Sequence, residues 1–332
     1  MVIWNKHLTE RIKDIEDFLL QEYKDSRVEK KRDWRTYEQQ MSVRIKGAIR
    51  NLEPLIDEAT STISVHREQG RKPALSLKQK VILLFLQRLV AKSNRNMAYM
   101  LDAFSLLSGV DISYKTIERL YSDEEVDMAI HNLHILILKK KGVNKVDASG
   151  DGTGYSLSIR THYASEVEKR KDEAKDSEAQ GRMAFAYSFK MLDLNTNLYI
   201  AFGMSMKSEK QAFDQAMEML DKTGIEMDSV RLDKYYSCAS YVERFGDTKV
   251  YVLPKKNSTL RGSFKWKKTM FDFVEGPLPY LEQYYRREHS EAQMGADKRF
   301  FGWRVEQRRW DRINTAIACT NLWHNLFNLY TD

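Results

Sequence analysis

The spacing of hydrophobic positions changes once along the chain, near residue 143. Before that point, apolar residues recur at intervals of three and four, as at Ile12, Ile15 and Leu19. This spacing is typical of helices with one buried face. The pattern therefore predicts a helical region up to about residue 140.

Beyond this region, apolar and polar residues alternate in three successive runs, which is the pattern of half-buried β-strands. The runs lie around Tyr155 and Leu157, at 183–191 and at 198–206. Between the first two runs, residues 164–182 carry many charges and no apolar face. They are predicted to form a long, mobile connection.

Helices and strands then alternate to the end of the chain. Ser208 followed by Gln211 forms a capping-box pattern that begins a helix, and Gly224 ends that helix. The further elements are predicted as strand 228–233, helix 237–246, strand 248–254, helix 278–300 and helix 310–330. This order is the plan of a ribonuclease H-like domain, an α/β (α+β) fold with a mixed five-stranded sheet and helices.

A candidate DNA-binding unit lies in the helical region. Helix 94–107, a short turn and a second helix that begins after Ser113 resemble a helix-turn-helix, with Lys115 and Arg119 available to contact DNA. An ordinary small helical bundle has the same pattern, so both interpretations stay open. The predicted divisions are a charged helical segment at 1–65, a helix-turn-helix-like region at 66–140 and the α/β domain at 141–332.

Composition excludes several classes of protein. The chain has 332 residues and is 42% hydrophobic, which excludes a fully disordered protein. The two cysteines, Cys238 and Cys319, are too few for a disulfide-framed secreted fold or a zinc site built from several thiolates. The aliphatic runs are far shorter than the ~20 residues of a bilayer span, so we expect a soluble cytoplasmic protein.

Positive charge is concentrated in two blocks. The chain has 54 Lys and Arg against 47 Asp and Glu, a net charge of +7. Residues 67–95 hold eight basic side chains and one acid, and residues 255–268 hold six basic side chains and no acid. Two such blocks favour a polyanionic partner over a merely solvated surface. In the second block Lys265 is a candidate DNA contact, and Trp266 has two interpretations, a base-stacking ring or a packed core residue.

Four residues of the predicted late helix share one face. The steps between them are three, four and seven, which places all four within an arc of roughly 60°. They are Tyr284, Arg287, Glu291 and Lys298. A ring, a guanidinium, a carboxylate and an ammonium suit a phosphodiester with a bound cation, because the carboxylate alone would repel a phosphate.

Two further acids complete a candidate metal site. Asp151 lies in the first predicted strand and Asp233 ends the fourth, and these strands are neighbours in a ribonuclease H-like sheet. With Glu291 they supply three carboxylates, a set that can hold two divalent ions ~3.5–4 Å apart for phosphoryl transfer. Mg²⁺ suits this chemistry because it takes few carboxylates and keeps positions for water and phosphate. Asp147 is an alternative first ligand.

At these residues the sequence resembles the DDE transposases of prokaryotic insertion sequences. It is most similar to the group with the signature Y-(2)-R-(3)-E-(6)-K, whose spacings are met by Tyr284, Arg287, Glu291 and Lys298. The resemblance covers about residues 143–325.

The resemblance implies a set of roles and partners. Asp151, Asp233 and Glu291 would bind two Mg²⁺ ions, which Mn²⁺ can replace, and the other signature residues would contact the phosphates of the transposon end. The partners would be double-stranded DNA, as transposon ends and target, and a second copy of the chain in a synaptic complex. The protein would work in a prokaryotic cytoplasm at the nucleoid.

Three hypotheses about function follow. The first is a transposase that hydrolyses a phosphodiester at each transposon end and transfers the freed strand into target DNA. The second is a helix-turn-helix regulator with an inactive, relic catalytic domain, which the intact carboxylate trio disfavours. The third is a structure-selective ribonuclease H-like nuclease with the same metal site but no strand transfer.

Overall fold

The computed structural model describes residues 2–25, 33–64, 74–90, 93–98, 100–101, 111–157, 185–255 and 258–330. Three predictions lie wholly or partly outside these residues: the charged connection at 164–182, the end of the helix 94–107, and the turn at 108–111 of the helix-turn-helix. The helices are α1 Val2–Asp25, α2 Trp34–Thr60, α3 Leu77–Val90, α4 Tyr114–Leu120, α5 Glu124–Lys141, α6 Glu209–Thr223, α7 Ala239–Glu243, α8 Phe264–Glu275, α9 Pro277–Tyr285, α10 Glu288–Phe301 and α11 Trp310–Leu329. The strands are β1 Lys145–Leu157, β2 Phe185–Asp193, β3 Tyr199–Ser205, β4 Glu226–Leu232, β5 Lys249–Tyr251 and β6 Arg304–Val305.

The strands form one mixed sheet in the order β3-β2-β1-β4-β5. β1 pairs antiparallel with β2 and β2 with β3, whereas β4 runs parallel to β1 and β5 parallel to β4. A mixed α/β fold and the adjacency of the first and fourth strands are therefore confirmed. Within the described residues the sheet has six strands instead of five, because the short β6 pairs with the end of β1.

The crossover from β3 to β4 runs through α6, whose ends follow the predicted signals. The Ser208 hydroxyl accepts the Gln211 N–H at 3.2 Å, which satisfies a donor in the first turn of α6. Gly224 ends the helix with φ at 67°, a left-handed conformation that glycine adopts without strain. These local signals fix where the chain leaves one strand and enters the next.

The early helices pack on the same core as the sheet. α2, α3 and α5 contact α11, which is buried along most of its length. The Trp323 indole N–H donates to the Phe85 carbonyl at 3.0 Å, and Arg88 Nε donates to the Thr320 hydroxyl at 2.7 Å. The first helices are thus fixed to the α/β part of the chain, and the divisions at 65 and 140 stay predictions.

The late helix 278–300 is not continuous, so that prediction is wrong. α9 ends at Tyr285 and α10 begins at Glu288. Between them the backbone tightens, since the Arg287 N–H donates to the Tyr284 carbonyl at 3.1 Å and the Ser290 N–H to the Arg287 carbonyl at 2.9 Å. This tighter turn changes the phase of the helix, so the four signature residues do not lie on one straight helical face.

A helix within the second basic block was not predicted. α8 begins after Ser263, whose hydroxyl accepts the Trp266 N–H at 3.2 Å. Trp266 is 2% exposed and its indole N–H donates to the Thr259 carbonyl at 2.8 Å. The prediction that Trp266 contacts DNA is therefore wrong, and the packed interpretation holds. The spacing of Trp266, Met270 and Phe273, all buried, was the sequence signal for this helix.

The start of α4 agrees with the predicted cap. The Ser113 hydroxyl accepts the Thr116 N–H at 3.4 Å, and Ile117 is buried while Lys115 and Arg119 are exposed. Contact of these two side chains with DNA stays a prediction. In the described part of the chain, no helix is both long and apolar enough to cross a membrane.

Candidate active site

The register of the two central parallel strands brings two aspartates together. Gly150 of β1 lies opposite Leu232 of β4, so the next residues, Asp151 and Asp233, follow side by side. Asp233 Oδ1 accepts the backbone N–H of Tyr235 at 2.7 Å in a short 3₁₀ turn. Since Oδ1 is held by this turn, Oδ2 is the atom that faces the site.

A pair of buried serines brings the third acid to the sheet. The hydroxyls of Ser149 on β1 and Ser290 on α10 are 2.8 Å apart, and both residues are fully buried. Ser290 Oγ donates to the Arg287 carbonyl at 2.7 Å, so Ser149 is the donor to Ser290. Because Ser149 precedes Asp151 by two positions on one strand face and Ser290 directly precedes Glu291, this contact places Glu291 near Asp151.

A buried arginine fixes α9 in the same way. Arg231 of β4 is 1% exposed. Its Nε donates to the Gln283 carbonyl at 3.1 Å and its Nη2 to Gln283 Oε1 at 2.8 Å. The end of α9 is therefore held against the sheet just before the tight turn into α10.

Asp147 belongs to a different cluster from Asp151. Its carboxylate lies 3.4 Å from Arg231 Nη1 and 3.3 Å from Arg286 Nη1, and it accepts a hydrogen bond from Ser229. Burial would raise the pKa of Asp147, but the Ser229 hydrogen bond and the Arg231 charge hold it below its ordinary value. Asp151, and not Asp147, is the β1 aspartate that joins Asp233 and Glu291.

The three acids of the candidate site meet at a single guanidinium. Arg287 Nη1 lies 2.7 Å from Glu291 Oε1, 3.2 Å from Asp233 Oδ2 and 3.9 Å from Asp151 Oδ2. The Arg287 side chain is only 17% exposed. Residues from β1, the end of β4 and α10, far apart in the sequence, therefore share one charged centre.

The contacts at Arg287 are charge contacts and not directed hydrogen bonds. Its buried Nε and Nη1 atoms have no hydrogen-bond partner among the described residues, although Nη1 is close to all three acids. The planar guanidinium normally grips two oxygens side by side. Here the guanidinium neutralises the three acids through Nη1 without a paired grip on any one carboxylate.

The cluster carries more negative charge than one arginine neutralises. Burial and the neighbouring Asp233 charge raise the pKa of Asp151 to about 7, despite the Arg287 charge. Burial lowers the pKa of Arg287, but Tyr284 and the surrounding acids raise it further, so its net pKa is above the ordinary value. A perturbed acid in a shared carboxylate cluster is typical of a functional site.

The donor set suits a hard divalent ion, although its geometry is not that of a closed metal site. As the side chains stand, no three His, Cys, Asp or Glu residues in the described part of the chain are close enough to hold a metal. Arg287 Nη1 takes the position between the acids. A second cation would nevertheless stabilise the three carboxylates, because their mutual repulsion helps to raise the pKa of Asp151. Carboxylate oxygens are also the ligands that Mg²⁺ prefers.

The other two signature residues have different surroundings. Tyr284 is 2% exposed and its ring lies 5.3 Å from the Arg287 guanidinium, so the ring packs beneath the arginine. Lys298 is half-buried, with Nζ 4.8 Å from the Trp303 ring centroid and 5.6 Å from that of Tyr155. Burial lowers the pKa of Lys298.

The remaining predicted DNA contacts lie on other elements. Lys115 and Arg119 are on α4, which packs against α3. Lys265 is on α8, where its ammonium donates to the Gly246 carbonyl and burial lowers its pKa. The carboxylate cluster therefore unites residues from the middle of β1, the end of β4 and the late helices.

Comparison with known proteins supplies the family. A probable transposase for insertion sequence element ISA1214 from Archaeoglobus fulgidus is 44% identical to this chain over 284 residues. The match covers 85% of this chain and 84% of that protein. This chain belongs to the insertion-sequence transposases. No family model matches its sequence. The resemblance to transposases is thus confirmed at the level of the family, and the DDE class within it stays a prediction.

In this transposase a buried charge network that sequence reasoning missed supports α10. Asp297, 5% exposed, accepts hydrogen bonds from the Tyr199 hydroxyl at 2.7 Å and from Lys190 Nζ at 3.4 Å, and its other oxygen lies 2.9 Å from His324 Nδ1. Burial would raise the pKa of Asp297, but His324 and Lys190 hold it below the ordinary value. The network ties α10, one residue before Lys298, to β2, β3 and α11.

Replacing Asp297 with Ala is expected to lower the free energy of unfolding by about 3–5 kcal/mol, because it leaves the fully buried Lys190 without its carboxylate. The pKa of Asp297 is lower in the folded than in the unfolded protein. The carboxylate therefore contributes its full stability above the unfolded-state pKa of about 4, and this stability is lost as the pH falls through the lower, folded-state pKa. Urea unfolding at pH 7 measures the change. The control is Asp214→Ala in the exposed pair with Lys210, for which about 0.3–0.5 kcal/mol is expected.

Proposed function

We propose that this transposase hydrolyses a DNA phosphodiester at each end of its element and joins the freed 3′-hydroxyl to target DNA, using divalent metal ions held by Asp151, Asp233 and Glu291. The convergence of these three carboxylates on Arg287 carries the proposal. Mg²⁺, or Mn²⁺ in its place, would supply charge stabilisation for the attacking and departing oxygens when bound.

Residues of the chain would bind the metal ions and the phosphate. The carboxylates of Asp151, Asp233 and Glu291 would hold the ions, and the buried serine pair keeps α10 in place against β1. The guanidinium of Arg287 would bind the phosphate, and Lys298, further along α10 than Glu291, would add a positive charge for the next phosphates of the strand. The buried Tyr284 ring supports the arginine from below and would not itself stack on a base.

The sheet supports a ribonuclease H-like catalytic domain. Three antiparallel strands, followed by two parallel strands added on the other side of β1, match the order that the sequence predicts for that fold. The two aspartates then lie on neighbouring central strands, where both can reach one substrate. We propose this fold for residues 141–332.

The deciding experiment uses the DNA that borders the reading frame. Terminal inverted repeats would be identified there, prepared as labelled duplexes and incubated with the full chain and Mg²⁺ or EDTA. Metal-dependent nicking at the repeat end followed by joining to a second DNA is expected. Binding without nicking would instead favour the regulator hypothesis, and nicking without joining would favour the nuclease.

The helical region is proposed to bind the transposon end through α4. A double substitution of Lys115 and Arg119 with Ala, both exposed, is expected to weaken binding of the end duplex and to reduce the slope of log affinity against log salt by about 1.8, or 0.9 per phosphate contact. Fluorescence anisotropy measures the affinity for the end duplex at salt concentrations from about 50 to 200 mM. An unchanged slope would exclude α4 from the DNA interface.

The protein is proposed to act as a homodimer in the synaptic complex, within the prokaryotic cytoplasm at the nucleoid. Two element ends must be cut and held together, and one carboxylate cluster serves one strand at a time. Light scattering of the complex with end DNA would be expected to give the mass of two chains and two duplexes.

A further inference from the structure

One exposed aromatic ring adjoins the carboxylate cluster, a second lies further along β1, and each has a lysine ammonium close to it. Tyr235 is 49% exposed, with Lys255 Nζ 5.5 Å from its ring centroid and donating to its carbonyl at 2.8 Å. Trp303 is 62% exposed, with Lys298 Nζ 4.8 Å from its ring centroid. In each pair an aromatic face and a cation therefore lie together at the surface, where a ligand can reach both.

Both rings are attached to the backbone that carries the acids. The Tyr235 N–H donates to Asp233 Oδ1, so this ring follows directly from the end of β4. The Trp303 carbonyl accepts the Ser156 N–H at 3.1 Å, and Ser156 lies five residues beyond Asp151 on β1, about 16 Å along the strand. One ring thus adjoins the cluster, and the other lies a few nucleotides' length further along β1.

The chemistry of each pair selects the ligand. A ring with an adjacent ammonium offers a stacking face for a base and a positive charge for its phosphate, the combination that binds single-stranded nucleic acid. A paired base within a duplex hides its faces in the stack, so only an unpaired base can use such a ring. A protein partner is less suited, because lysine is depleted in protein–protein interfaces.

We propose that Tyr235 and Trp303 are stacking platforms for unpaired bases of the strand next to the cleaved phosphodiester, with Lys255 and Lys298 binding the adjoining phosphates. This inference rests on the proposed function for the identity of the strand. It adds two residues outside the Y-R-E-K signature to the substrate site.

The test compares two probes that differ only in their bases. Fluorescein-labelled dT12 and a matching oligomer of twelve abasic nucleotides carry the same phosphates, and their binding to the full chain is measured by anisotropy in EDTA. The wild-type protein is expected to prefer dT12 by about thirtyfold or more, because each of the two stacked bases adds at least about fivefold in affinity that phosphates do not supply. Tyr235→Ala and Trp303→Ala should each lower this preference by about fivefold or more, whereas Tyr235→Phe and Trp303→Phe should keep it.

The matched control is Trp310→Ala, since Trp310 is also 62% exposed but begins α11. It should keep the full preference for dT12. Equal binding of both probes by the wild type would overturn the proposal, as would alanine variants that discriminate like the wild type. Melting temperatures of all variants show whether they fold.

The same assay separates this inference from the proposed function. Asp151→Asn should keep the preference for dT12, because no metal or cleavage is needed for stacking. A base preference that depends on Tyr235 and Trp303, in a protein that shows no Mg²⁺-dependent cleavage, would support the platforms and contradict the proposed function. Mg²⁺-dependent cleavage by a protein that shows no base preference would support the proposed function and contradict the stacking platforms.

Discussion

Substitution of Asp151 with Asn should reduce Mg²⁺-dependent cleavage of the transposon end by about 10³-fold or more, while end binding is retained. The amide keeps the shape of the side chain but removes the negative charge that would hold a metal ion beside Asp233 and Glu291. A loss of about 4 kcal/mol of transition-state stabilisation corresponds to this factor. Single-turnover nicking of a labelled end duplex measures the rate, and anisotropy measures binding.

The same variant should be more stable than the wild type in the absence of metal. Asp151 is buried among like charges that raise its pKa, so its ionised form is unfavourable in the folded state. Thermal unfolding in EDTA should therefore show a higher melting temperature for Asp151→Asn. Mg²⁺ should raise the melting temperature of the wild type and have less effect on the variant, because binding to the folded state alone stabilises it.

Asp147→Asn is the matched control for these measurements. Asp147 is on the same strand as Asp151 but pairs with Arg231 and Arg286. Its replacement should lower stability, since Arg231 is buried, and should reduce cleavage far less. The opposite result, with Asp147→Asn inactive and Asp151→Asn active, would contradict the assignment of Asp151 to the site.

Replacing Arg287 with Ala should have the second large effect. In EDTA the free energy of unfolding of the variant should be lower by about 2–3 kcal/mol, because three carboxylates lose the cation that they share. This value is below the cost of breaking a fully buried ion pair, since Glu291 is 45% exposed. Mg²⁺ should restore more stability to the variant than to the wild type, because the guanidinium no longer competes for the acids. Urea unfolding with and without Mg²⁺, and Mn²⁺ titration by calorimetry, measure both effects.

Arg287→Lys keeps the positive charge at this position but removes the planar guanidinium. The lysine keeps a cation near the acids, so its stability in EDTA should stay within about 1 kcal/mol of the wild type. Cleavage should still fall strongly in both variants, because an ammonium cannot bind two phosphate oxygens side by side. If Arg287→Ala were as stable as the wild type in EDTA, the shared ion-pair centre would be absent from the protein in solution.

The features that the sequence predicted well are local ones. The change from helical to alternating periodicity near residue 143, the Ser208 cap and the Gly224 end all depend on residues within one or two turns. The tight turn at Arg286 and Arg287 was missed because α-helical and 3₁₀ turns share almost the same hydrophobic spacing. Lys190 was missed although it is a charged residue between the buried Phe189 and Met191, which is a signal for a buried ion pair.

By itself, the sequence determined the chemical groups of the site and their spacing. Tyr284, Arg287, Glu291 and Lys298 could be read from the chain, together with acids that end or interrupt apolar strands. The spacing within one segment is set by local geometry, so it needs no knowledge of distant contacts.

Only the tertiary structure decided which aspartate of β1 joins the site. Asp147 and Asp151 lie four residues apart on the same face of the strand, so a period of two cannot distinguish them. The parallel register places Asp151 beside Asp233, and the buried Ser149–Ser290 contact brings α10 to that level of the strand. Register and side-chain contacts between distant segments are properties of the packed chain, because they depend on how the sheet and helices fit together and not on either segment alone.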